Sequence, residues 1–85
     1  MRMMKYLVVA GFGEERMYLF PQEDTHKGIA EKVADGEHWR AVRGGTVVME
    51  KRLICSGLGA FSLGLPGDRE KDTALLLSLL GQGPE

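Results

Sequence analysis

The stretch from Leu53 to Leu80 constrains the fold of this chain more than any other segment. It reads LICSGLGAFSLGLPGDREKDTALLLSLL, which is a short apolar strand, a glycine-spaced loop and a run of helix formers with five leucines. The Pro-Gly pair before Asp68 blocks an earlier helix start, and Asp68 is the expected N-cap, with Asp72, one turn later, as the alternative. We therefore predict a final helix that runs from Asp68 to Leu80 and stops at Gly81.

The first part of the chain predicts a hairpin followed by a helix. Lys5–Ala10 and Arg16–Phe20 are rich in aromatic and β-branched residues, and a glycine-containing turn separates them. Asp24 and Thr25 are both candidate N-caps, and apolar residues follow at helical spacing. A helix over Asp24–Asp35 is expected.

The middle of the chain predicts two further strands. Residues 39–49 form one long strand, with a bulge or a turn at the Gly44-Gly45 pair, and alternation places Trp39, Ala41 and Arg43 on one face. Arg52–Cys55 then pairs with the end of this strand. The expected fold is α+β, a four-stranded antiparallel sheet in β-β-α-β-β-α order with both helices on one face. Residues 1–85 form a single domain, with a loose tail at 81–85.

Composition limits the classes of function. The chain has 85 residues, 44% of them hydrophobic and 27% charged, with a net charge of −1. A pI near 6.1 makes a nucleic-acid partner an unfavourable hypothesis. The basic residues Arg40, Arg43, Lys51 and Arg52 are interpreted as a solvated strand and turn. Since no apolar run approaches about 20 residues, we expect no membrane contact and a cytoplasmic protein.

The residues that most often carry metal or redox chemistry are few. One cysteine, Cys55, excludes an intramolecular disulfide, and its apolar surroundings predict a buried, reduced and unreactive thiol. His26, His38 and Cys55 match no zinc spacing, and both histidines are expected at exposed positions. No metal site and no cofactor are predicted.

Two glycine motifs and one serine motif resemble known sites only weakly. Gly11-Phe12-Gly13 and Gly57-Leu58-Gly59 follow strands, but neither opens a helix that could hold a pyrophosphate. Ala60–Gly64 (AFSLG) is similar to a nucleophile elbow, but no histidine follows Ser62 to serve as its base. We predict no catalytic residue and no cofactor-binding residue.

The leucines of the last helix suggest a contact surface. On a helical wheel they span an arc of about 200°, wider than the ~100° that a helix lying on a sheet needs. Loop residues such as Phe61 could cover the excess, or a second molecule could. The candidate contact residues are Leu76, Leu77 and Leu80, and Leu77 lies at the edge of the arc.

The chain resembles small proteins encoded by bacteriophages and prophages of proteobacteria. The resemblance starts at Phe20 and depends on three short motifs: Phe20, Pro21 and His26; Cys55, Gly57, Ser62, Leu63, Gly64 and Leu65; and Asp72, Thr73, Leu75 and Leu76. Those proteins have no established activity, so no functional residue is transferred. The resemblance implies a phage accessory protein, a group that often binds and disables host proteins, including defence systems.

Two hypotheses of function are compatible with this sequence. The preferred one is a non-catalytic protein that binds a protein partner or forms a homodimer. The alternative is a small-ligand or nucleotide-binding domain that uses the glycine-rich turns. A ligand binder should have a concave site at Gly11–Gly13 or Gly57–Gly59, whereas a protein binder should expose an apolar patch.

Overall fold

The computed structural model of the chain describes residues 4–34, 38–49, 53–56, 59 and 63–79. Its elements follow the predicted β-β-α-β-β-α order. They are β1 (Met4–Gly11), β2 (Glu14–Pro21), α1 (His26–Val33), β3 (Arg40–Met49), β4 (Leu53–Cys55) and α2 (Arg69–Leu79). All neighbouring strands pair antiparallel, in the spatial order β2-β1-β3-β4. The α+β class and the four-stranded antiparallel sheet are thus confirmed.

Strand β1 lies inside the sheet and is buried on both faces. Tyr6, Leu7, Val8 and Val9 each have 0% of their surface exposed. Because successive side chains of a strand point to opposite faces, Tyr6 and Val8 lie on one face, and Leu7 and Val9 lie on the other. The unbroken apolar run of β1 therefore needs cover on both sides of the sheet.

The two helices supply this cover from opposite sides, so the prediction that both lie on one face is wrong. Leu76 of α2 packs with Tyr6, Val8 and Cys55 on what we call the α2 face. Residues of α1 pack against the second cluster, which contains Leu7, Val9, Phe20, Ile29, Ala30 and Val33, on the α1 face. A single layer of helices would leave one apolar side of β1 in water.

Strand β3 is one long strand, as predicted, and it contains a bulge. Val8 pairs with Arg43 but Val9 pairs with Ala41, so Val42 has no partner on β1. The bulge lies at Val42 and not at the Gly44-Gly45 pair. Because the extra residue shifts the alternation, Arg43 points to the α2 face while Ala41 packs on the α1 face. The prediction that the two share a face is wrong.

Gly45 allows a close approach between β3 and the ring of Tyr6 on β1. A Cβ atom at Gly45 would lie 2.9 Å from Cε2 of Tyr6, closer than two carbon atoms pack. The Tyr6 ring thus occupies the space that a side chain at position 45 would fill. This contact determines the position of the Tyr6 hydroxyl.

Both helices begin at capping residues that the sequence indicates. The N–H of Gly28 donates to Oγ1 of Thr25 over 3.0 Å, so Thr25 is the N-cap of α1. The N–H of Lys71 donates to Oδ1 of Asp68 over 3.0 Å, which confirms Asp68 as the N-cap of α2. Helix α1 starts one residue after Thr25 and is shorter than the predicted 24–35.

Candidate functional site at the tip of the first hairpin

The turn between β1 and β2 contains an unusual residue. Gly11 pairs with Glu14, so Phe12 and Gly13 alone make the connection. Their φ angles are 53° and 77°, both in the left-handed region, as a type I′ turn requires. Gly, Asn and Asp suit such positions, whereas the Cβ of phenylalanine is strained there at a cost of about 1–2 kcal/mol. The sequence nevertheless places Phe12 in the turn, and its side chain is 74% exposed.

Phe12 belongs to an aromatic cluster at the start of β3. Its ring stacks on the imidazole of His38, with centroids 5.3 Å apart and planes 12° apart. It meets the indole of Trp39 edge-on at 5.6 Å. We call Phe12, His38 and Trp39 the tip cluster. Such pairs contribute about 0.5–1.5 kcal/mol beyond their buried area, so they offset part of the strain at Phe12.

Gly11 and Arg16 hold the indole of Trp39 against the hairpin. A Cβ atom at Gly11 would lie 2.7 Å from Cδ2 of Trp39, so only glycine leaves room for this contact. The guanidinium of Arg16 lies 4.4 Å from the centre of the Trp39 ring. Nε of Arg16 also donates to Oε2 of Glu14 over 3.0 Å. The indole is therefore fixed in one orientation.

A cleft of about 680 Å³ opens beside the tip cluster, and we call it the tip cleft. Its walls include the tip cluster and the backbone of Gly11–Gly13, with Arg40 and Leu75 among its other lining residues. Small-molecule sites have volumes of about 300–1,000 Å³. The Arg40 side chain is exposed and makes no ion pair with any residue of the described ranges. The tip cleft thus combines aromatic rings, the backbone of Gly11–Gly13 and the exposed guanidinium of Arg40.

A buried chain of charges lies beneath this cleft. Glu15, which lines the cleft, accepts hydrogen bonds from Nη1 and Nη2 of Arg43 over 2.9 and 2.7 Å. Nε of Arg43 donates to Oδ1 of Asp72 over 2.6 Å. Asp72 lies on α2 with 0% of its surface exposed. Arg43 therefore joins an acid at the cleft to an acid in the core.

Two further donors complete the environment of Asp72. The hydroxyl of Tyr6 donates to Oδ2 over 2.5 Å, and the backbone N–H of Asp68 donates to the same oxygen over 3.2 Å. We call Tyr6, Glu15, Arg43 and Asp72 the ion network. It connects three of the four strands, β1, β2 and β3, to α2, because each of these four elements contributes one member. A buried carboxylate needs such partners, since an unpaired charge in the interior is very costly.

The ion network shifts the pKa values of its members in consistent directions. Hydrogen bonds from Arg43 hold the pKa of Glu15 below its usual range, although desolvation opposes this. Burial, followed by the hydrogen bond to Asp72, raises the pKa of Tyr6 far above its usual range. The hydrogen bonds to Glu15 and Asp72 raise the pKa of Arg43, which keeps its charge. Tyr6 therefore remains a neutral donor at any physiological pH.

One sequence interpretation of a charged residue is wrong because of this network. Arg43 is not a solvated strand residue, since its side chain is only 12% exposed and it binds two carboxylates, those of Glu15 and Asp72. Lys51 and Arg52 lie outside the described residues. Phe12 was missed as a functional candidate, although an aromatic residue before glycine in a tight hairpin turn is a detectable signal.

The histidine and cysteine candidates have structural positions. His26 is buried at 9% exposure, contrary to expectation, with Nε2 3.1 Å from the carbonyl oxygen of Gly45. Its ring meets Phe20 edge-on at 5.2 Å. Cys55 is buried as predicted, and burial followed by the nearby charge of Asp72 raises the pKa of its thiol from 9.0 to about 12. The described residues contain no group of three or more His, Cys, Asp or Glu placed to hold a metal ion.

The leucines of α2 divide between core and surface. Leu76 is fully buried within the chain, so it faces the sheet and not a partner. Leu77 is half-buried, and Leu80 lies outside the described residues. A contact at Leu77 and Leu80 stays a prediction. Gly57 and Ser62, the key positions of the remaining motifs, also lie outside the described residues.

Comparison of the chain with models of protein families, with curated proteins and with solved structures gives no match. Within the described residues, no helix is both long and apolar enough to cross a membrane.

Proposed function

We propose that this chain is a small non-catalytic protein that binds another protein through the tip cluster and the tip cleft. One observation carries the proposal: Phe12 is strained in the left-handed region and yet 74% exposed. Asparagine or glycine would make the same turn at lower cost. Backbone strain that the fold does not need is typical of functional positions.

The composition of this surface supports a protein partner. Aromatic and arginine side chains dominate the binding energy of protein interfaces, most of all where they surround a pocket. The tip cluster, with Arg16 over Trp39 and Arg40 nearby, offers this combination in a small area. The rings of Phe12 and Trp39 are already oriented by their neighbours, so little side-chain entropy would be lost on binding.

The ion network supports the same proposal from below. Arg43 and Glu15 fix the turn end of the hairpin to β3, and Asp72 fixes both to α2. A contact residue at the end of a hairpin binds well only if its support is rigid. The resemblance to phage and prophage proteins makes a host protein, a defence protein among others, the first partner to seek.

The test compares binding by variants that keep the fold. Phe12→Asn retains a residue that tolerates the left-handed conformation but removes the exposed ring. The wild type is used to capture a partner from a proteobacterial lysate, and we expect Phe12→Asn to fail to capture it. Against the purified partner, the dissociation constant of Phe12→Asn should be at least tenfold higher than that of the wild type. Lys27→Asn, at an exposed position on α1, is the matched control. Equal capture by wild type and Phe12→Asn would refute the proposal.

A nucleotide or another planar ligand in the same cleft is the second candidate function. The concave site at Gly11–Gly13, its aromatic wall and the Arg40 guanidinium favour it. A thermal-shift screen with nucleotides separates the two candidates. A stabilisation that Arg40→Ala and Phe12→Asn both abolish would support the ligand and argue against the protein partner.

A further inference from the structure

The outer edge of β2 is a second surface that could bind another chain. Among the described residues, β2 pairs with β1 alone, over eight consecutive residue pairs with no bulge. Natural edge strands are usually short, bulged or interrupted by proline, because an open edge pairs with other chains. In β2 the only proline is Pro21, at its last position. The edge is therefore open to a further strand over most of its length.

The turn determines which residues face this edge. In an antiparallel hairpin with a two-residue loop, the pair that closes the loop, here Gly11 and Glu14, is hydrogen-bonded. The alternation then directs the N–H and C=O groups of Glu15, Met17 and Leu19 away from β1. The side chains of these three residues lie on the α2 face.

We infer that a second copy of this chain pairs with this edge, so that two β2 strands join antiparallel about a two-fold axis at Met17. In that register Met17 pairs with Met17 of the second copy, and Glu15 pairs with Leu19. All outward N–H and C=O groups of Glu15, Met17 and Leu19 then find partners. Shifting the register by two residues in either direction leaves at least one of them unpaired or opposite Pro21, which has no N–H.

An apolar groove beside the edge fits the same arrangement. It has a volume of about 260 Å³ and lies between β2 and the end of α2, with Met17, Leu75 and Leu79 in its lining. Leu79 is 56% exposed. A two-fold axis perpendicular to the sheet places both α2 helices on the same side of the joined sheet. Leu79 of each copy is then covered at the seam, and an isologous contact of this kind closes on itself.

Charge and size also favour a second copy. A net charge of −1 gives little repulsion between copies. Arg16 of one copy lies opposite Tyr18 of the other, so the positive side chain meets an aromatic ring and a hydroxyl. A domain of this size gains from any additional apolar surface that it buries.

Sedimentation equilibrium of the full chain over a micromolar dilution series tests the inference. We expect a dimer whose dissociation constant rises at least tenfold in Leu79→Glu, a change that an exposed position tolerates without unfolding. Lys27→Gln, which also makes the net charge more negative by one at an exposed position of α1, should leave the dimer unchanged. A wild type that is monomeric throughout, or a dimer insensitive to Leu79→Glu, would overturn the inference.

A disulfide experiment tests the register. An equimolar mixture of Arg16→Cys and Tyr18→Cys chains should oxidise mainly to the mixed dimer, because positions 16 and 18 lie directly opposite each other in the closer type of pair. Cross-links that form equally well within each variant alone would refute this register.

Residues 80–85 follow Leu79 and are the rival occupant of the edge. A chain truncated after Leu79 that dimerises while the full chain stays monomeric would assign the edge to this tail and overturn the inference. Phe12→Asn should leave the dimer intact, so failure here and failure of the proposed tip contact can be told apart.

Discussion

Replacing Arg43 with methionine tests whether the ion network holds the fold together. Methionine preserves most of the apolar stem of Arg43 but removes the guanidinium. Asp72, with no exposed surface, then keeps the hydroxyl of Tyr6 and one backbone N–H but loses its cation. Breaking one side of a buried ion pair costs about 3–5 kcal/mol, because the remaining charge is uncompensated.

This cost is large for a domain of 85 residues. At about 0.05–0.15 kcal/mol per residue, the whole domain has a free energy of unfolding of roughly 4–13 kcal/mol. We therefore expect Arg43→Met to remove at least about a quarter of the stability and to lower Tm by more than ~10 °C. Urea unfolding followed by circular dichroism at pH 7 gives the free energy, provided that the m value is unchanged.

Two further variants isolate the charge from the packing. Arg40→Met removes an exposed arginine from the same strand and should change the free energy of unfolding by less than about 0.5 kcal/mol. Asp72→Asn removes the buried charge, so the double variant with Arg43→Met should lose less than the sum of the two single losses. A loss below about 1 kcal/mol for Arg43→Met would refute the reasoning, since it would equal that of a solvated surface pair.

Three further predictions concern pH, a helix cap and a glycine. The raised pKa values of Cys55 (about 12) and Tyr6 mean that the unfolded chain releases protons before the folded one. The stabilisation from the neutral side chains is complete below pH 9 and falls by about 1.4 kcal/mol per pH unit per group as the pH rises above it. Cys55→Ala should delay this loss to about pH 10. Urea titrations that show no such delay would contradict the raised pKa of Cys55. Asp68→Ala should lower the free energy of unfolding by about 0.5–2 kcal/mol because α2 loses its cap, whereas Asp68→Asn should lose little. Equal urea midpoints for Asp68→Ala and the wild type would refute this role of Asp68. Gly45→Ala should cost about 1–3 kcal/mol, because its Cβ would lie 2.9 Å from the Tyr6 ring; full stability in a urea melt would show that the ring can move.

The sequence predicts local structure well because local signals determine it. The hairpin turn, the caps at Thr25 and Asp68 and the element order follow from residues close together in the chain. The placement of the helices was wrong because it depends on the sheet as a whole. The signal was available, since the run Tyr6–Val9 has no polar position and a strand of this kind is buried on both faces.

The ion network could be predicted only in part. Asp72 and Leu76 are four residues apart on α2 and therefore share a face, which indicates that the acid points toward the core. The sequence does not reveal its partner, because Arg43 reaches the α2 face only through the bulge at Val42. A bulge of one residue leaves no strong pattern in a strand of apolar and small residues.

The bulge also links the stable part of the molecule to its candidate site. Before Val42, β3 directs Ala41 to the α1 face, and Trp39 lies just before the strand against the hairpin tip. After Val42, the same strand directs Arg43 to Glu15 and Asp72. Without the extra residue, one of these two sets would face the wrong side of the sheet. The single unpaired residue thus allows one strand to support both the exposed aromatic cluster and the buried charges. Glu15 connects the two regions, because it lines the tip cleft and binds Arg43.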